Sequence, residues 1–448
     1  MKSIVAAFAV LTVACASATN YYWCGAGEPN ADGSRNWEDP ANWLVNGTTV
    51  TATSYPGVSN TGTGALSTGD QVWFTNKTNE EAVVKLSRAL TVGYLYLHQA
   101  TTPVTLVGGT TTNDVLTLGN DISFATVSYP ITLDHIAIRR NNGNVTLGPN
   151  RALTLKNGAN FYVNNFTFNS GASVSMSEGS WLRSNSFAPT ADDVGNTVTL
   201  TGGSTWLCAN APSFPKKFAL SLSEGSQFLA QTDAGTGFYN LNAYGGVNTI
   251  SLSGGSLLRC NEFYIGYPGQ VITLDDSTID ARGTCLIGNT LPGGGEINFK
   301  GAAPKFTVKG AACRVQNNNA GMNVPFVFRY FVPEGGYAEP PFQYLCNTTT
   351  ECFGSWVNPT KLTQFVVDPT SPAATAGTLT DTALAYSTSG FYRAAAKPNY
   401  TDITDTTGGT LRFTDGAGVT DTTTSDGKKS KYIKASIGSG EPAPAPPL

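Results

Sequence analysis

"NTVTLTGGSTWLC" at 196–208 and "NTISLSGGSLLRC" at 248–260 decide the fold. Each is an alternating apolar and polar run, a glycine pair, and a second alternating run. Alternation with period two places successive side chains on opposite faces of a strand, and paired glycines supply the positive φ of a tight turn. Weaker copies stand at 152–163 ("ALTLKNGANFYV"), 173–184 ("SVSMSEGSWLRS"), 220–230 ("LSLSEGSQFLA") and 271–281 ("VITLDDSTIDA"). The small residue after each turn is Ala159, Ser180, Ser204, Ser226, Ser256 or Ser277, and the successive spacings are 21, 24, 22, 30 and 21 residues. A period in the low twenties with an occasional insertion is the signature of a β-solenoid whose loops bulge outward.

Registering the copies gives two inward columns. Two residues past each marker stand Phe161, Leu182, Trp206, Phe228, Leu258 and Ile279, and four past it stand Val163, Ser184, Cys208, Ala230, Cys260 and Ala281. Large residues lie beside a file of smaller ones, as a packed coil interior requires. Five past the marker, Asn164, Asn185 and Asn261 fall where the chain turns, and Asn suits both a left-handed corner and a stacked amide ladder. Cys208 and Cys260 share a column but are separated by the coil of Ala230, so about 9 to 10 Å divides them at ~4.8 Å per strand. A disulfide cannot span that gap.

Composition agrees with an extracellular β protein. Only 13% of the 448 residues are charged, and 49 are glycine, against about 25% charged in an average globular chain. The net charge of -4 offers no footprint for nucleic acid. His98 and His135 are the only histidines, too few for a His-based metal centre or a Ser-His-Asp triad, so no metal and no cofactor is expected. Lys2, the apolar run Ile4 to Val13 and Ala16-Ser17-Ala18 read as a secretory signal over 1–18, and no stretch is long enough to cross a membrane as a helix. Beyond Cys15 in that signal, seven cysteines remain. An odd number leaves at least one free or paired between molecules, and Cys346 and Cys352 could close a small loop.

The expected organisation is a signal (1–18), an N-terminal cap (19–75), a parallel β-helix (76–335), a C-terminal β appendage (336–440) and a Pro/Ala tail (441–448). The cap is expected from "NYYWCGAGEPNADGSRNWEDPANWLVNG" at 20–47, where Trp23, Trp37 and Trp43 crowd together and Pro40 interrupts any helix. The indoles would cover the core end of the first coil, and the turns would shield its strand edge.

Trp23-Cys24-Gly25, Asn36-Trp37, Asn42-Trp43, Tyr55-Pro56-Gly57 and Gly69-Asp70-Gln71-Val72-Trp73-Phe74 resemble the opening pattern of secreted bacterial β-solenoid proteins. These include the autotransporter passenger-like and cell-surface repeat kinds. The resemblance spans roughly residues 22 to 75. It implies a right-handed parallel β-helix, pectin-lyase-like in architecture, displayed outside a bacterial cell as an adhesin, stalk or passenger. Two departures accompany it: no run of amphipathic membrane strands follows residue 340, and "EPAPAPPL" begins like a sorting signal without the apolar helix and basic residues.

Three function classes compete. A polysaccharide lyase or glycosidase would draw on clustered carboxylates and a cation, for which Asp275, Asp276, Asp280 and Arg282 are the candidates. Against it, Asp275 and Asp276 fall in a turn, and Asp280 stands at an outward position opposite Arg259, where a cross-strand pair explains both. "DHIAIRR" at 134–140 reads likewise as a charged outer face. A glycan binder would use Tyr21, Tyr22, Tyr94, Tyr96, Tyr239, Tyr244, Tyr264 and Tyr267 as stacking surfaces. The expected function is the third, a non-catalytic secreted or cell-surface protein with a structural, adhesive or passenger-like role, whose partners would be extracellular glycan or another surface protein. On this register Trp206→Ala should cost roughly 3 to 5 kcal/mol and an outward Asp280→Ala less than about 1 kcal/mol.

Overall fold

The computed structural model describes residues 19–345 apart from 59–68, 75–80, 98–101, 110–114, 120–121, 125–128, 141–143, 190–194, 215–216, 244–246, 266–268, 284, 288–293, 311–312 and 317–325. Beyond that it describes 353–354, 364–379, 382–392, 411–414, 423–424 and 427–437. The chain is an all-β parallel solenoid between residues 71 and 308 with a small mixed sheet at its N-terminal end. Among the described residues the only α-helix is Pro372–Thr375.

Most coils place strands on three faces. The first face is a 13-stranded sheet that begins at Arg35–Asn36, ends at Gln364–Val367 and is parallel throughout. Its inward positions repeat in register, so that Leu155, Met176, Leu200, Leu222, Leu252, Leu274 and Phe299 stack directly on one another. Each is fully or almost fully buried, and each such side chain contributes about 1.5–3 kcal/mol by leaving water. The second face carries the columns expected from the repeat: Phe161 pairs with Leu182, then Trp206, Phe228, Leu258 and Ile279. The third face follows a bend.

The turn between the first two faces sets the period. Asn157-Gly158, Glu178-Gly179, Gly202-Gly203, Glu224-Gly225 and Gly254-Gly255 all have positive φ at both positions; in the first four the marker amide donates back three residues, as Ser180 N does to Ser177 O at 3.1 Å, and in the fifth Ser256 N donates to Ser277 Oγ at 3.1 Å. These are type I′ turns, which need the left-handed conformation twice. They also bond to each other: Gly179 N donates to Gly202 O (2.8 Å) and Gly203 N to Glu224 O (2.9 Å). Every marker is buried, and Ser180, Ser204 and Ser256 turn their hydroxyls onto the carbonyl three residues back at 2.6 to 2.7 Å. A small residue is required there because the chain enters the core at that point.

The bend after the second face differs from expectation. Asn185 Nδ2 donates to Asn164 Oδ1, and Asn261 Nδ2 to Asn240 Oδ1 at 2.9 Å, so the amide ladder is present. The left-handed corner is not, since Asn164, Asn185 and Asn261 are absent from the positive-φ residues. Asn160–Phe168 and Trp181–Pro189 run through it as continuous strands. Side-chain hydrogen bonds between coils, rather than a tight turn, hold this edge.

At the N-terminal end Asn20–Trp23 pairs antiparallel with Trp43–Val45 and parallel with Gln71–Phe74. Trp23, Trp37 and Trp43 are buried. Trp43 meets Trp23 and Trp37 edge-on, each at 4.9 Å between ring centroids, while Trp23 stacks on Phe74 at 5.8 Å. Both inner indoles find acceptors: Trp43 Nε1 donates to Trp37 O (2.7 Å) and Trp37 Nε1 to Pro56 O (3.1 Å). Pro40 opens a single 3-10 turn, Pro40–Asn42, capped by the Asp39 side chain. At the other end parallel pairing runs past residue 335, through Phe342–Tyr344 and into Thr382–Tyr392. Gly427–Ile437 then closes on that last strand in antiparallel fashion. Loss of the sequence repeat is therefore not loss of the ladder.

Candidate functional site

The four residues proposed for catalysis divide between two corners of one coil. Asp275 ends the first-face strand Val271–Asp275 and is exposed, and Asp276 occupies the turn with φ 48°. Asp276 Oδ1 accepts the Ala303 amide at 2.8 Å, and its own backbone bonds Gly255 N and Lys300 O. Gly301, at φ 78°, leaves room for that carboxylate, because a Cβ there would lie 2.4 Å from Asp276 Cγ. Asp276 therefore ties one coil's turn to the next.

Asp280 and Arg282 stand at the far end of the next strand. Three residues, Ser277 to Ile279, separate Asp276 from Asp280, which sets them about 13 Å apart at ~3.3 Å per residue of extended chain. Glycosidase carboxylates work roughly 5 to 9.5 Å apart. The two carboxylates do not share a site.

Asp280 is the centre of the described charge clusters. Its register partners on adjacent coils are Arg259 and Thr307, so the cross-strand pair with Arg259 is present. Oδ2 accepts Arg259 Nε at 3.0 Å and Arg282 Nε at 2.7 Å, while Oδ1 accepts Lys309 Nζ at 3.1 Å and Thr307 Oγ1 at 3.2 Å. The outward direction expected for Asp280 is present, but its burial overturns the small cost expected of Asp280→Ala. Asp280 does point away from the coil interior, but three long cationic side chains fold over it and leave it 4% exposed. Burial pushes its carboxyl up, yet Lys309, Arg282 and Arg259 together outweigh burial and hold it below its ordinary value of 3.8.

A different stability effect follows. Asp280→Ala would leave three cations facing one another. Since the cations are about a third exposed and can rehydrate, the cost should be roughly 2 to 3 kcal/mol, below the 3–5 kcal/mol of a fully buried broken pair. A carboxyl with a depressed folded-state value stabilises fully above its unfolded value and loses that contribution as pH falls through the folded-state value. The gap in denaturant midpoint between the wild type and Asp280→Asn should therefore be constant at neutral pH and shrink below about pH 3.8. A gap that widens on acidification would contradict this sign.

The insertion that lengthens one coil to 30 residues reaches this cluster. Residues 231–238 form a small antiparallel excursion closed by the bridge Gln231–Phe238. At one end Asp233 holds Arg183, two coils back, through both carboxylate oxygens at 2.7 and 2.8 Å, and Arg183 also donates to Asn185 Oδ1 at 2.6 Å and lies over Tyr162. At the other end the Phe238 ring lies 5.4 Å from the guanidinium of Arg282, two coils forward. The sequence spacing marked this insertion but not its contacts.

The other proposed residues take ordinary places. His135 sits in a turn with φ 51° and its Nδ1 is 2.9 Å from Asn157 O. Asp134 pairs with Lys156 at 3.1 Å, and Arg139 is exposed on the outer face. His98, Tyr244, Tyr267, Cys346 and Cys352 lie outside the described residues. Tyr21 is buried and Tyr239 packs against the core. Tyr22, Trp73, Tyr96 and Tyr94 form a half-buried stack with interplanar angles of 14°, 19° and 9°. Their faces meet one another, which suits a ladder along the coil axis more than a platform for a sugar ring. Tyr264 donates to Glu262, whose carboxylate also takes Asn240 Nδ2 at 2.6 Å.

Cys208 and Cys260 are free and buried, consistent with the spacing deduced from the register. Burial pushes the Cys208 thiol up to about 11 and raises Cys260 further. Neither is primed as a nucleophile. Among the described residues no group of His, Cys, Asp and Glu is arranged to hold a metal ion, and no helix is long and apolar enough to cross a membrane. No protein family, no curated protein and no solved structure matches this chain.

Proposed function

We propose that this chain is an exported, non-catalytic β-solenoid protein of a bacterial cell surface or its surroundings, with a structural, adhesive or passenger-like role. The observation that carries the reading is the commitment of the candidate carboxylates to the scaffold. Asp276 binds the Ala303 amide, and Asp280 is saturated by three cations and a hydroxyl about 13 Å away along the strand. A general acid needs a raised value near the working pH, whereas Asp280 is held low. The secretory signal at 1–18 and the resemblance over 22 to 75 support export.

Incubating the purified chain with a panel of extracellular polysaccharides tests the reading, with retention and newly released chain ends measured together. No release is expected. Release of ends that disappears in Asp276→Ala or Asp280→Asn would replace this reading with the lyase or glycosidase one.

A further inference from the structure

We infer that Arg259, Arg282 and Lys309 form an anion site on the outer face of the solenoid that takes the carboxylate or sulfate groups of an acidic polysaccharide. The inference rests on the extracellular, non-catalytic reading above and names the ligand class for it. Three cations surround one carboxylate, so the cluster keeps two positive charges in excess. Side-chain exposures of 28%, 35% and 36% keep all three cationic side chains partly open to solvent.

The manner of attachment matters as much as the count. Both arginines reach Asp280 through Nε, and neither guanidinium makes a further hydrogen bond among the described residues. The terminal nitrogens of two planar forks, which suit an oxyanion in bidentate fashion, are thus not spent on Asp280. Arg183, four positions earlier in the same outward column, is the contrast. It uses Nε and both terminal nitrogens on Asp233 and Asn185 and is 7% exposed. Asp280 acts at this site as a buried post that gathers three mutually repelling cations and fixes their stems. Phe238 packs against Arg282 from the insertion side and limits its freedom. Glu262, the acidic residue closest in sequence to Arg259, is held by Asn240 and Tyr264.

A single three-cation cluster on a chain of net charge -4 is too small a footprint for nucleic acid, which needs many phosphate contacts. An acidic polysaccharide presents one anionic group per sugar or two and fits a compact site. The test is retention of polygalacturonate, dextran sulfate, neutral dextran and duplex DNA by the immobilised full-length chain at low and moderate salt. Polygalacturonate and dextran sulfate should bind and neutral dextran should not. The double variant Arg259→Gln/Arg282→Gln should lose about tenfold or more in affinity. Lys156→Gln/Arg329→Gln removes two charges elsewhere and should change affinity by about twofold or less. If melting shows the double variant unfolded, Lys309→Gln, which alters a partly exposed ammonium, should still weaken binding severalfold. No retention of either polyanion, equal retention of neutral dextran, retention of DNA alone, or equal loss in the two double variants would overturn the site. Chain-end release in the same incubations would instead remove the non-catalytic reading beneath it.

Discussion

Trp206→Ala is expected to lower stability by roughly 3 to 5 kcal/mol, the range for deleting a large buried aromatic. The indole is fully buried and packs among Phe166, Phe168, Phe187 and Phe228 at centroid distances of 4.8 to 6.0 Å. Its Nε1 donates to Ser184 Oγ at 3.1 Å. The substitution removes ring contacts that span four successive coils and leaves a cavity that parallel strands locked in register cannot close. Stability in a solenoid is close to a sum of coil and nearest-neighbour terms, so the loss should be local first. Hydrogen exchange should accelerate across 181–230 before it does at the N-terminal end. A loss under about 1 kcal/mol would mean that Trp206 does not face the interior.

Trp43→Ala should cost a similar amount, about 3 to 5 kcal/mol, with a different consequence. Trp43 touches Tyr21, Trp23, Trp37 and Phe74, and its Nε1 is the donor to Trp37 O. Without it the cluster that covers the core end of the first coil loosens and a buried carbonyl loses its partner. The strand edge at Trp43–Val45, folded back through the bridge Leu44–Thr51, would then open to other chains. Unpaired edges recruit strands. The variant should therefore aggregate below its melting point, where Trp206→Ala does not aggregate until it melts. Light scattering during a thermal ramp separates the two, and equal aggregation of both would remove the capping role.

The middle of the fold was legible because type I′ turns demand two left-handed residues. Asn-Gly, Glu-Gly or Gly-Gly therefore recurs at nearly fixed spacing and announces each coil. The coils before residue 150 were less visible. Among the described residues there, the corner at His135 uses a single left-handed residue, which has no paired signature. The charge cluster was half legible. Arg259 and Asp280 fall in the same outward column of two clear copies, so their pairing could be deduced. Lys309 and Thr307 belong to the next coil, where Pro304 stands in place of the marker serine, as the pairing of Thr278 with Lys305 establishes. Alternation also gave the direction of Asp280 but not its burial. That is set by three long side chains from three positions, information that no local pattern holds.

The solenoid rests on the register of its parallel ladder, and an engineered disulfide reads that register directly. Ser221 and Ser251 are exposed partners on adjacent first-face strands, and Thr273 is the next partner beyond Ser251. Neighbouring strands place paired Cα atoms about 4.8 Å apart, within disulfide reach, and strands two apart about 9.6 Å apart, beyond it. The buried thiols of Cys208 and Cys260 should not compete. Under mild oxidation Ser221→Cys/Ser251→Cys should form the bond nearly completely while folded, and Ser221→Cys/Thr273→Cys should not. Equal bonding in both pairs, or bonding only in the second, would contradict the pairing of Ser221 with Ser251 and of Ser251 with Thr273.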